Sequence, residues 1–511
     1  MIARRLSQPA PSLRDIRPSV PQHVDAALRR ALAPIPADRF ASTDEFARAL
    51  SAASTGVSAR TRVRWPIAAG GAALLLAGFI AVWLVVSQPN AQSDASDADQ
   101  SAIRLAVLPF RLIGGDSADR YLAEGISEEV TSTLANLSGL RVIDRSSVTQ
   151  FGSGTKSARE IGASLGVDAL VDGDVQKAGD AIRVRVKLIE PSTEESRWSQ
   201  TYDLATRDVF RVQSEVATKV AGVLRIQLAE RESRSLARPP TMNPEAYDAY
   251  LRAIARRRGE GTRAHRAMTD SNSADLTSAV RLDSTFGMAW AHLATELISA
   301  VFLFNAEPAQ LDRADRAISN ALRVDSTIAM AWKARHDLKW NAVRGWYFPE
   351  ALADVKHAIV LQPSLVAAHN GLGSLYFHYG FTEDARRELE ISLSLDPRDG
   401  CDDPSRCIGF SRPRIARVLW YEQKFDSALA IYETFPFIGP FLWEWAVVLG
   451  AAGRPSDGLA VLDSARRVLG RENGDVHASR ALMYAMMGRT AEALKHIEAA
   501  VARAESRSHF H

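Results

Sequence analysis

The stretch VLQPSLVAAHNGLGSLYFHYGFTEDARRELEISLSLDP (Val360–Pro397) decides the fold of the larger part of the chain. It is bounded by two similar marks, Gln362-Pro363 and Asp396-Pro397, which lie 34 residues apart. Two apolar-periodic segments run between these marks. They meet at Gly380, and the second carries a small residue, Ala385, where two helices would cross. This pattern predicts a pair of helices that repeats along the chain.

Related marks recur upstream with wider spacing. Asp283-Ser284 and Asp325-Ser326 lie 42 residues apart, and Gln362 follows Asp325 after a further 37 residues, so the earlier units need insertions. A single helix pair cannot bury its apolar face, and successive pairs therefore stack into a superhelix with a concave groove. We expect an all-α solenoid over residues 243–505 and a short tail at 506–511.

These repeats resemble the tetratricopeptide family, in about six or seven degenerate units that begin with NPEAYDAYLRA at Asn243. The resemblance implies that the groove binds protein or peptide partners. The unusually dense aromatic residues supply the candidates for that contact, which are Trp332, Trp340, Trp346 and Tyr347. The alternative is that these side chains fill the core between helices, because aromatic residues dominate core burial.

A stretch of 21 uncharged residues, Pro66–Val86, precedes the repeats. At about 1.5 Å per residue it would form a helix of about 31 Å, the thickness of a bilayer core. We therefore predict a single transmembrane helix at residues 66–87. The basic juxtamembrane segment 51–65 precedes it and the acidic, flexible linker 88–102 follows it. The positive-inside rule then predicts a single-pass protein of the cell membrane, with a cytoplasmic N-terminus and residues 88–511 outside the cytoplasm.

Residues 103–228 alternate strand-like and helix-like segments, which predicts a small α/β domain followed by a linker at 229–242. Residues 182–189 (IRVRVKLI) alternate apolar and basic side chains, as expected of a half-buried strand. The glycine-containing loop Gly152–Ser157 lacks the spacing of a phosphate loop. Ser157 and Glu160 predict a helix capping box there instead. Weak anion binding at the helix N-terminus is the alternative.

Several segments of this domain match a known family in order. AVLPF (Ala106–Phe110), YLAEGISEEV (Tyr121–Val130) and IGASLGVDALVDGDV (Ile161–Val175) resemble the TolB amino-terminal-like domain. The resemblance implies a sensing or docking module and assigns no catalytic residue.

Residues 1–50 resemble the last helices of the C-lobe of a bacterial Hanks-type serine/threonine kinase, above all in Pro36-Ala-Asp-Arg39-Phe40. The resemblance implies that Arg39 is a structural remnant, since the matching arginine of the family closes the fold through an ion pair. The glycine-rich loop, the ATP-binding lysine, the catalytic-loop aspartate and the Asp-Phe-Gly motif are absent from this sequence. We expect no catalytic residue and no cofactor on this chain. ATP and magnesium would be needed only if a kinase domain lies upstream of Met1.

The cysteine content and the net charge limit the ligands and partners that we expect. Cys401 and Cys407 are the two cysteines, and the expected extracytoplasmic location favours a local disulfide, with free thiols as the alternative. No second pair of ligands accompanies them, so we predict no metal site. A net charge of only +2, from 62 basic and 60 acidic residues, favours no nucleic-acid partner.

Together these features predict a multidomain protein with one transmembrane helix, a small α/β domain and a tetratricopeptide-like solenoid. We interpret it as a membrane-anchored extracytoplasmic sensor or scaffold that binds protein partners, the receptor portion of a bacterial serine/threonine kinase. The alternative is a fragment of an active kinase. Clustering of the arrays would be the simplest route for a signal, so homo-oligomer formation is also expected.

Overall fold

The computed structural model describes residues 21–31, 40, 45 and 49 of the N-terminal part and residues 102–502 of the remainder, with gaps. The gaps are 115, 153, 155, 206–209, 238, 257–260, 305–306, 308, 342–347, 400–410, 435–441 and 470–473. The chain divides into two units, Met1–Asn90 and Ala91–His511. The predicted features that lie outside the described residues are Arg39, residues 51–65, residues 66–87, the acidic linker except for Ala102, Trp346, Tyr347, Cys401, Cys407 and residues 506–511.

The predicted transmembrane helix and the single-pass membrane localisation are corrected. Within the described residues, no helix combines the length and the apolar character needed to cross a membrane. The longest described helix, Gly261–Leu282, carries ionisable side chains along its length, among them Asp270 and Asp275, which would be costly to place in hydrocarbon. The prediction rested on a single charge-free stretch, residues 66–87, which lies outside the described residues.

The described helix of the first unit is α1 (Gln22–Ala31), which buries Asp25 and Ala27. Its last turn carries Arg29 and Arg30, where the helix dipole favours cations. Arg30 pairs with Glu45 at 3.3 Å. Both partners are largely exposed, so this ion pair contributes little stability.

The second unit begins with a sheet, which within the described residues has six strands. Their bounds are β1 Ile103–Val107, β2 Arg111–Leu112, β3 Leu140–Val142, β4 Ala169–Ala178, β5 Ala181–Glu190 and β6 Glu195–Ala205. The order is β3-β1-β4-β5-β6, and β2 pairs with β4. Strand β1 is parallel to β3 and β4, whereas β4, β5 and β6 are antiparallel neighbours. Strand β3 therefore lies at an edge.

The helices of this α/β domain are α2 Arg120–Ala135, α3 Arg145–Val148, α4 Ala158–Leu165, α5 Phe210–Val223 and α6 Glu230–Ala237. One core lies between the sheet and helices α2 and α5, and it includes Val130, Val184 and Val216. A second core lies between the other face of the sheet and α4, and it includes Ile161 and Leu170. The prediction of interleaved strands and helices is confirmed.

Strand β5 has the predicted alternation. Its side chains that are buried in the core are Ile182, Val184, Val186 and Leu188. Arg183 points to solvent and pairs with Asp203 of β6 at 2.6 Å. The turn from β4 to β5 contains Gly179 with φ +61°, a left-handed conformation that glycine adopts without a Cβ clash.

The rest of the described chain is a helical array of seven successive pairs, which confirms the predicted helical repeat. The first helices of the pairs are α7 Pro244–Ala255, α9 Gly287–Phe304, α11 Ala329–Lys339, α13 Val366–His378, α15 Ser411–Tyr421, α17 Leu442–Ala451 and α19 Gly474–Met486. The second helices are α8 Gly261–Leu282, α10 Ala309–Val324, α12 Phe348–Leu361, α14 Thr382–Leu395, α16 Phe425–Thr434, α18 Pro455–Leu469 and α20 Thr490–Ala502.

Small residues allow the two helices of a pair to approach closely, as the pair α13–α14 illustrates. Ala385 is fully buried at the predicted crossing. A Cβ added at Gly373 would lie only 3.0 Å from the Ala385 carbonyl oxygen and 2.7 Å from Leu389. Gly380 has φ +82° in the turn between the helices, where the sequence placed it.

Candidate partner-binding surface

One repeated sequence device builds two of the turns between successive pairs. Asp283 Oδ1 accepts hydrogen bonds from the Thr285 amide at 2.8 Å and from the Thr285 hydroxyl at 2.6 Å. Asp325 and Thr327 repeat this geometry with the same two distances. The carboxylate satisfies donors that would otherwise be unpaired just before α9 and α11 begin. The predicted repeat marks at Asp283 and Asp325 therefore lie in the turns directly before first helices.

Trp332, a predicted partner-binding residue, forms a hydrogen bond with one of these turns. Its indole Nε1 donates to the Ser326 carbonyl at 2.7 Å, and Trp290 makes the equivalent bond to Ser284 at 3.0 Å. The Trp332 ring also lies edge-on to the His357 ring, with 4.3 Å between centroids. These contacts favour a role for Trp332 in the packing of the array itself.

The α/β domain packs against the turns through the open edge of its sheet. The Val142 amide of β3 donates to the Ser364 hydroxyl at 3.2 Å, and that hydroxyl donates to the Leu140 carbonyl at 3.4 Å. Just beyond the strand, the Asp144 amide donates to the Leu395 carbonyl at 2.9 Å. An edge strand exposes unpaired backbone groups, and the array satisfies these groups here.

Helix α3 adds a buried polar contact at the same joint. The Ser147 hydroxyl donates to Asp396 Oδ1 at 2.5 Å, and the Arg398 amide donates to that hydroxyl at 3.0 Å. Burial, with a further contribution from the charge of Asp144, raises the pKa of the Asp396 carboxyl to about 6. The contact joins residues 249 positions apart in sequence.

The first helix of the array, α7, packs directly on α2. The Tyr250 hydroxyl donates to Glu129 Oε1 at 2.6 Å, and both side chains are buried. Burial raises the pKa of the Glu129 carboxyl to about 7. A Cβ added at Gly125 would lie 2.9 Å from the Leu251 side chain, so the glycine allows the two helices to approach. The α/β domain thus contacts both the start of the array and its later turns.

A cavity of about 520 Å³ remains between the α/β domain and the turns. The domain contributes parts of α2 and the residues around β3 to its walls. The array contributes the starts of α9, α11 and α13, through Thr285, Gly287, Asp325, Thr327, Ala329, Ser364 and Ala367. The N-terminal ends of these three first helices therefore face the α/β domain of the same chain.

The C-terminal ends of α11, α13 and α15 carry a row of aromatic side chains. We name this row the aromatic ladder, and its members are Trp340, Phe377, His378, Tyr379, Trp420 and Tyr421. The ring centroids of Trp340 and Tyr379 lie 5.6 Å apart, and those of Phe377 and Tyr421 lie 4.9 Å apart. These are the separations of aromatic rings in contact, and they link three successive repeats.

Unlike a core cluster, the aromatic ladder reaches solvent. Tyr379 is 44% exposed and Tyr421 is 64% exposed, and Phe381 beside them is 50% exposed. Trp340, a predicted partner-binding residue, is half-buried and contacts the His378 ring at 5.9 Å. Contiguous exposed aromatic side chains of this size are typical of an interaction surface. Helix α13 has 13 residues, so its two ends lie about 20 Å apart.

Two further features considered in the sequence are a helix capping box and a metal site. The capping box of α4 is present, because the Glu160 amide donates to Ser157 Oγ at 3.2 Å and the Ser157 amide donates to Glu160 Oε2 at 2.8 Å. In the part of the chain that the structure describes, no group of three or more His, Cys, Asp and Glu side chains is placed to hold a metal ion.

Sequence reasoning missed Tyr379, Phe381 and Tyr421 as candidate binding residues. A signal was available, since Tyr379 and Phe381 flank the turn glycine Gly380 directly after an apolar helix. Large apolar side chains beside a turn have few neighbours to cover them.

Comparison with known proteins gives one match with a defined range in this chain. Residues 100–219 match the model of the second domain of HilA/YgeH-like transcriptional regulators. This match covers the α/β domain alone. A curated relative, the proposed adenylate cyclase 3 of Rhizobium meliloti (strain 1021), is 29% identical over 235 residues. These residues are 44% of this chain and 38% of the relative, so the chain spans well under two thirds of that protein.

Solved structures similar to this chain include tetratricopeptide repeat proteins. One is a tetratricopeptide repeat protein from Parabacteroides merdae ATCC 43184, at 14% identity and a TM-score of 0.36, covering 50% of this chain and 93% of that one. Another is PilF of Pseudomonas aeruginosa, at 19% identity and a TM-score of 0.33, covering 45% of this chain and 96% of that one. The α/β part of the chain is therefore similar to the second domain of these transcriptional regulators.

Proposed function

We propose that the described region is a protein-interaction module in which the aromatic ladder receives a partner protein. One observation carries this proposal. The first helices of consecutive repeats turn their N-terminal ends to the α/β domain of the same chain, and their C-terminal ends expose Tyr379 and Tyr421 of the ladder. Phe381, which directly precedes α14, is exposed beside them. Exposed tyrosine and phenylalanine side chains are typical anchors of protein interfaces.

One charge beside the ladder indicates the chemistry of the partner segment. The exposed Lys356 ammonium lies 5.7 Å from the ring centroid of Tyr376, the residue that precedes Phe377 of the ladder. Aromatic grooves favour extended segments that contain proline or apolar side chains. A flanking cation favours acidic residues in the same segment. We therefore propose an extended segment with apolar anchors and acidic flanks.

The module would serve a signalling protein. The relative from Rhizobium meliloti carries the name of a cyclase, and residues 1–50 resemble part of a kinase, so the two observations point to different enzymes. Their common element is an accessory region attached to a signalling enzyme, and we propose the function in that form. Association into a homo-oligomer stays part of the proposal, as does a requirement for ATP and magnesium in any attached kinase.

Photo-crosslinking in the native cells tests the interaction surface. With benzoylphenylalanine at position 421, we expect a discrete adduct between the full-length protein and a second polypeptide. The double substitution Tyr379→Ser with Phe381→Ser should reduce the adduct at least about tenfold, since loss of two aromatic anchors costs more than about 1.4 kcal/mol. The matched control places the photo-crosslinker at the exposed Arg313 of α10. Equal adducts from both positions, or an adduct unaffected by the double substitution, would contradict the proposal.

A further inference from the structure

The carboxyl edge of the parallel strands opens into a second crevice of about 670 Å³, which adjoins the cavity of about 520 Å³ and shares Glu128, Thr131 and Arg145 with it. The chain leaves β1 toward α2 on one face of the sheet, and it leaves β3 toward α4 on the other face. In open α/β sheets, ligands bind at the carboxyl edge where connections diverge in this way. A volume of about 300–1,000 Å³ is the range of small-molecule sites.

Three arginines from different elements line this crevice: Arg111, Arg120 and Arg145. Arg111 pairs with Asp172 at 3.4 Å, and Asp172 also accepts an ion pair from Lys187 at 3.0 Å. Arg120 is exposed at the start of α2, and its side chain makes no ion pair or hydrogen bond with any other described residue. The crevice therefore offers a guanidinium whose N–H donors are available to an anion.

The lining also includes the carboxylates of Glu124 and Glu128, which pair with Arg145. Its other residues suit the body of a small organic molecule. Apolar walls come from the segment after β1 and from α3, through Val107, Pro109, Phe110, Leu112 and Val148. Hydroxyl groups come from Ser127, Thr131 and Thr149. The loop glycine Gly154 has φ +68°, and a Cβ there would lie 3.5 Å from Arg111 Nη1. We propose that this crevice binds a small molecule with a carboxylate or phosphate group on an apolar body.

Arg145 connects the crevice to the array. Its guanidinium donates to the carbonyls of Ile254 at 2.7 Å and Ala255 at 3.0 Å, which are the last residues of α7. It also forms ion pairs with Glu124 at 3.7 Å and Glu128 at 3.6 Å on α2. An anion in the crevice competes with these partners for Arg145. Occupancy of the crevice is thereby transmitted to the first helix of the array, independently of the partner-binding role of the ladder.

Ligand-observed NMR on the full-length protein tests this site with phenyl phosphate, benzoate and benzyl alcohol. We expect phenyl phosphate or benzoate to bind with millimolar or stronger affinity, and benzyl alcohol not to bind at 10 mM. Binding of phenyl phosphate alone assigns a phosphate group, and binding of benzoate alone assigns a carboxylate. Arg120→Gln should weaken the binding at least tenfold. Arg183→Gln, which removes an exposed arginine on β5, is the matched control and should leave the affinity unchanged.

Hydrogen exchange of the same protein tests the connection to α7. Phenyl phosphate or benzoate at saturating concentration should accelerate amide hydrogen exchange at residues 251–256 of the wild type by at least threefold. The same addition should leave the exchange of the Arg120→Gln variant unchanged. The site is refuted by no binding of either anion at 10 mM, or by equal affinity of Arg120→Gln and the wild type. Binding without any change at residues 251–256 refutes the transmission through Arg145.

Discussion

Glu444→Ala should destabilise the array by about 3–5 kcal/mol, the usual cost of removing one partner of a buried ion pair. Glu444 is fully buried on α17 and receives a bidentate contact from the guanidinium of Arg417 on α15, which is 12% exposed. The Tyr432 hydroxyl of α16 approaches the same carboxylate at 3.5 Å. The substitution therefore leaves a buried guanidinium without its carboxylate at a point where three helices meet. Urea denaturation of the full-length protein, with hydrogen exchange at α15 and α17, measures the loss.

Two controls separate the buried charge from other effects. Glu492→Ala removes a pair with Arg489 that is about half exposed and screened by solvent, so it should leave the stability close to that of the wild type. The double substitution Arg417→Met with Glu444→Leu removes both charges, and it should recover most of the stability that Glu444→Ala loses. A loss of less than 1 kcal/mol in Glu444→Ala would contradict the buried pair.

Glu129→Gln should make the protein more stable than the wild type at pH 8 while leaving it close to the wild type at pH 5. Burial raises the pKa of this carboxyl from 4.5 to about 7 in the folded state. A group of this kind contributes stability below the unfolded pKa, and the contribution is lost as pH rises through the folded pKa. The wild type therefore loses unfolding free energy as the pH rises from 4.5 to 7, and at pH 8 this loss amounts to about 3 kcal/mol.

In the wild type, the Tyr250 hydroxyl donates to Glu129 Oε1 at 2.6 Å. A glutamine at position 129 carries no charge, and its side-chain oxygen can still accept this hydrogen bond. We therefore expect the unfolding free energy of Glu129→Gln to vary less with pH than that of the wild type. Denaturant titrations at pH 5, 6, 7 and 8 measure the profile. Glu195→Gln on the exposed part of β6 is the control and should keep the wild-type profile. If the unfolding free energies of Glu129→Gln and the wild type vary with pH in parallel, the raised pKa of the Glu129 carboxyl is contradicted.

The local elements could be predicted from sequence because their signals are local. The alternation of residues 182–189 gives the buried face of β5, and Gly380 gives the turn between α13 and α14. The helical repeat likewise follows from marks such as Asp325-Ser326, which the structure uses to begin α11. Each of these inferences requires only side chains within a few positions of one another.

The docking of the α/β domain on the array could not be predicted in this way. Its polar contacts join Ser147 to Asp396 and Val142 to Ser364, across 249 and 222 positions. Serine and aspartate at repeat turns are ordinary turn residues, and periodicity does not say which turns another domain will cover. The membrane prediction was wrong for a related reason, since it rested on one uncharged stretch and on no packing information.

The two described tryptophan candidates show the same limit. Trp332 and Trp340 are similar in sequence context, yet Trp332 donates to the Ser326 carbonyl within the array and Trp340 joins the aromatic ladder beside Tyr379. A helical pattern places both on apolar faces. The end of the helix at which each one lies decides its surroundings. Which of them contacts a partner stays a prediction.

The most direct test of the account is an intramolecular photo-crosslink from the turn end of α13. Ala367 is exposed and lines the cavity of about 520 Å³, so benzoylphenylalanine fits at that position without displacing packed side chains. Irradiation of the purified full-length protein, followed by mass spectrometry, should give crosslinks from position 367 to peptides within residues 128–145. The same group at position 421 should give none to the α/β domain. Crosslinks from position 367 that stay within the array, or that reach only a second copy of the protein, would contradict the docking of the domain on the turns.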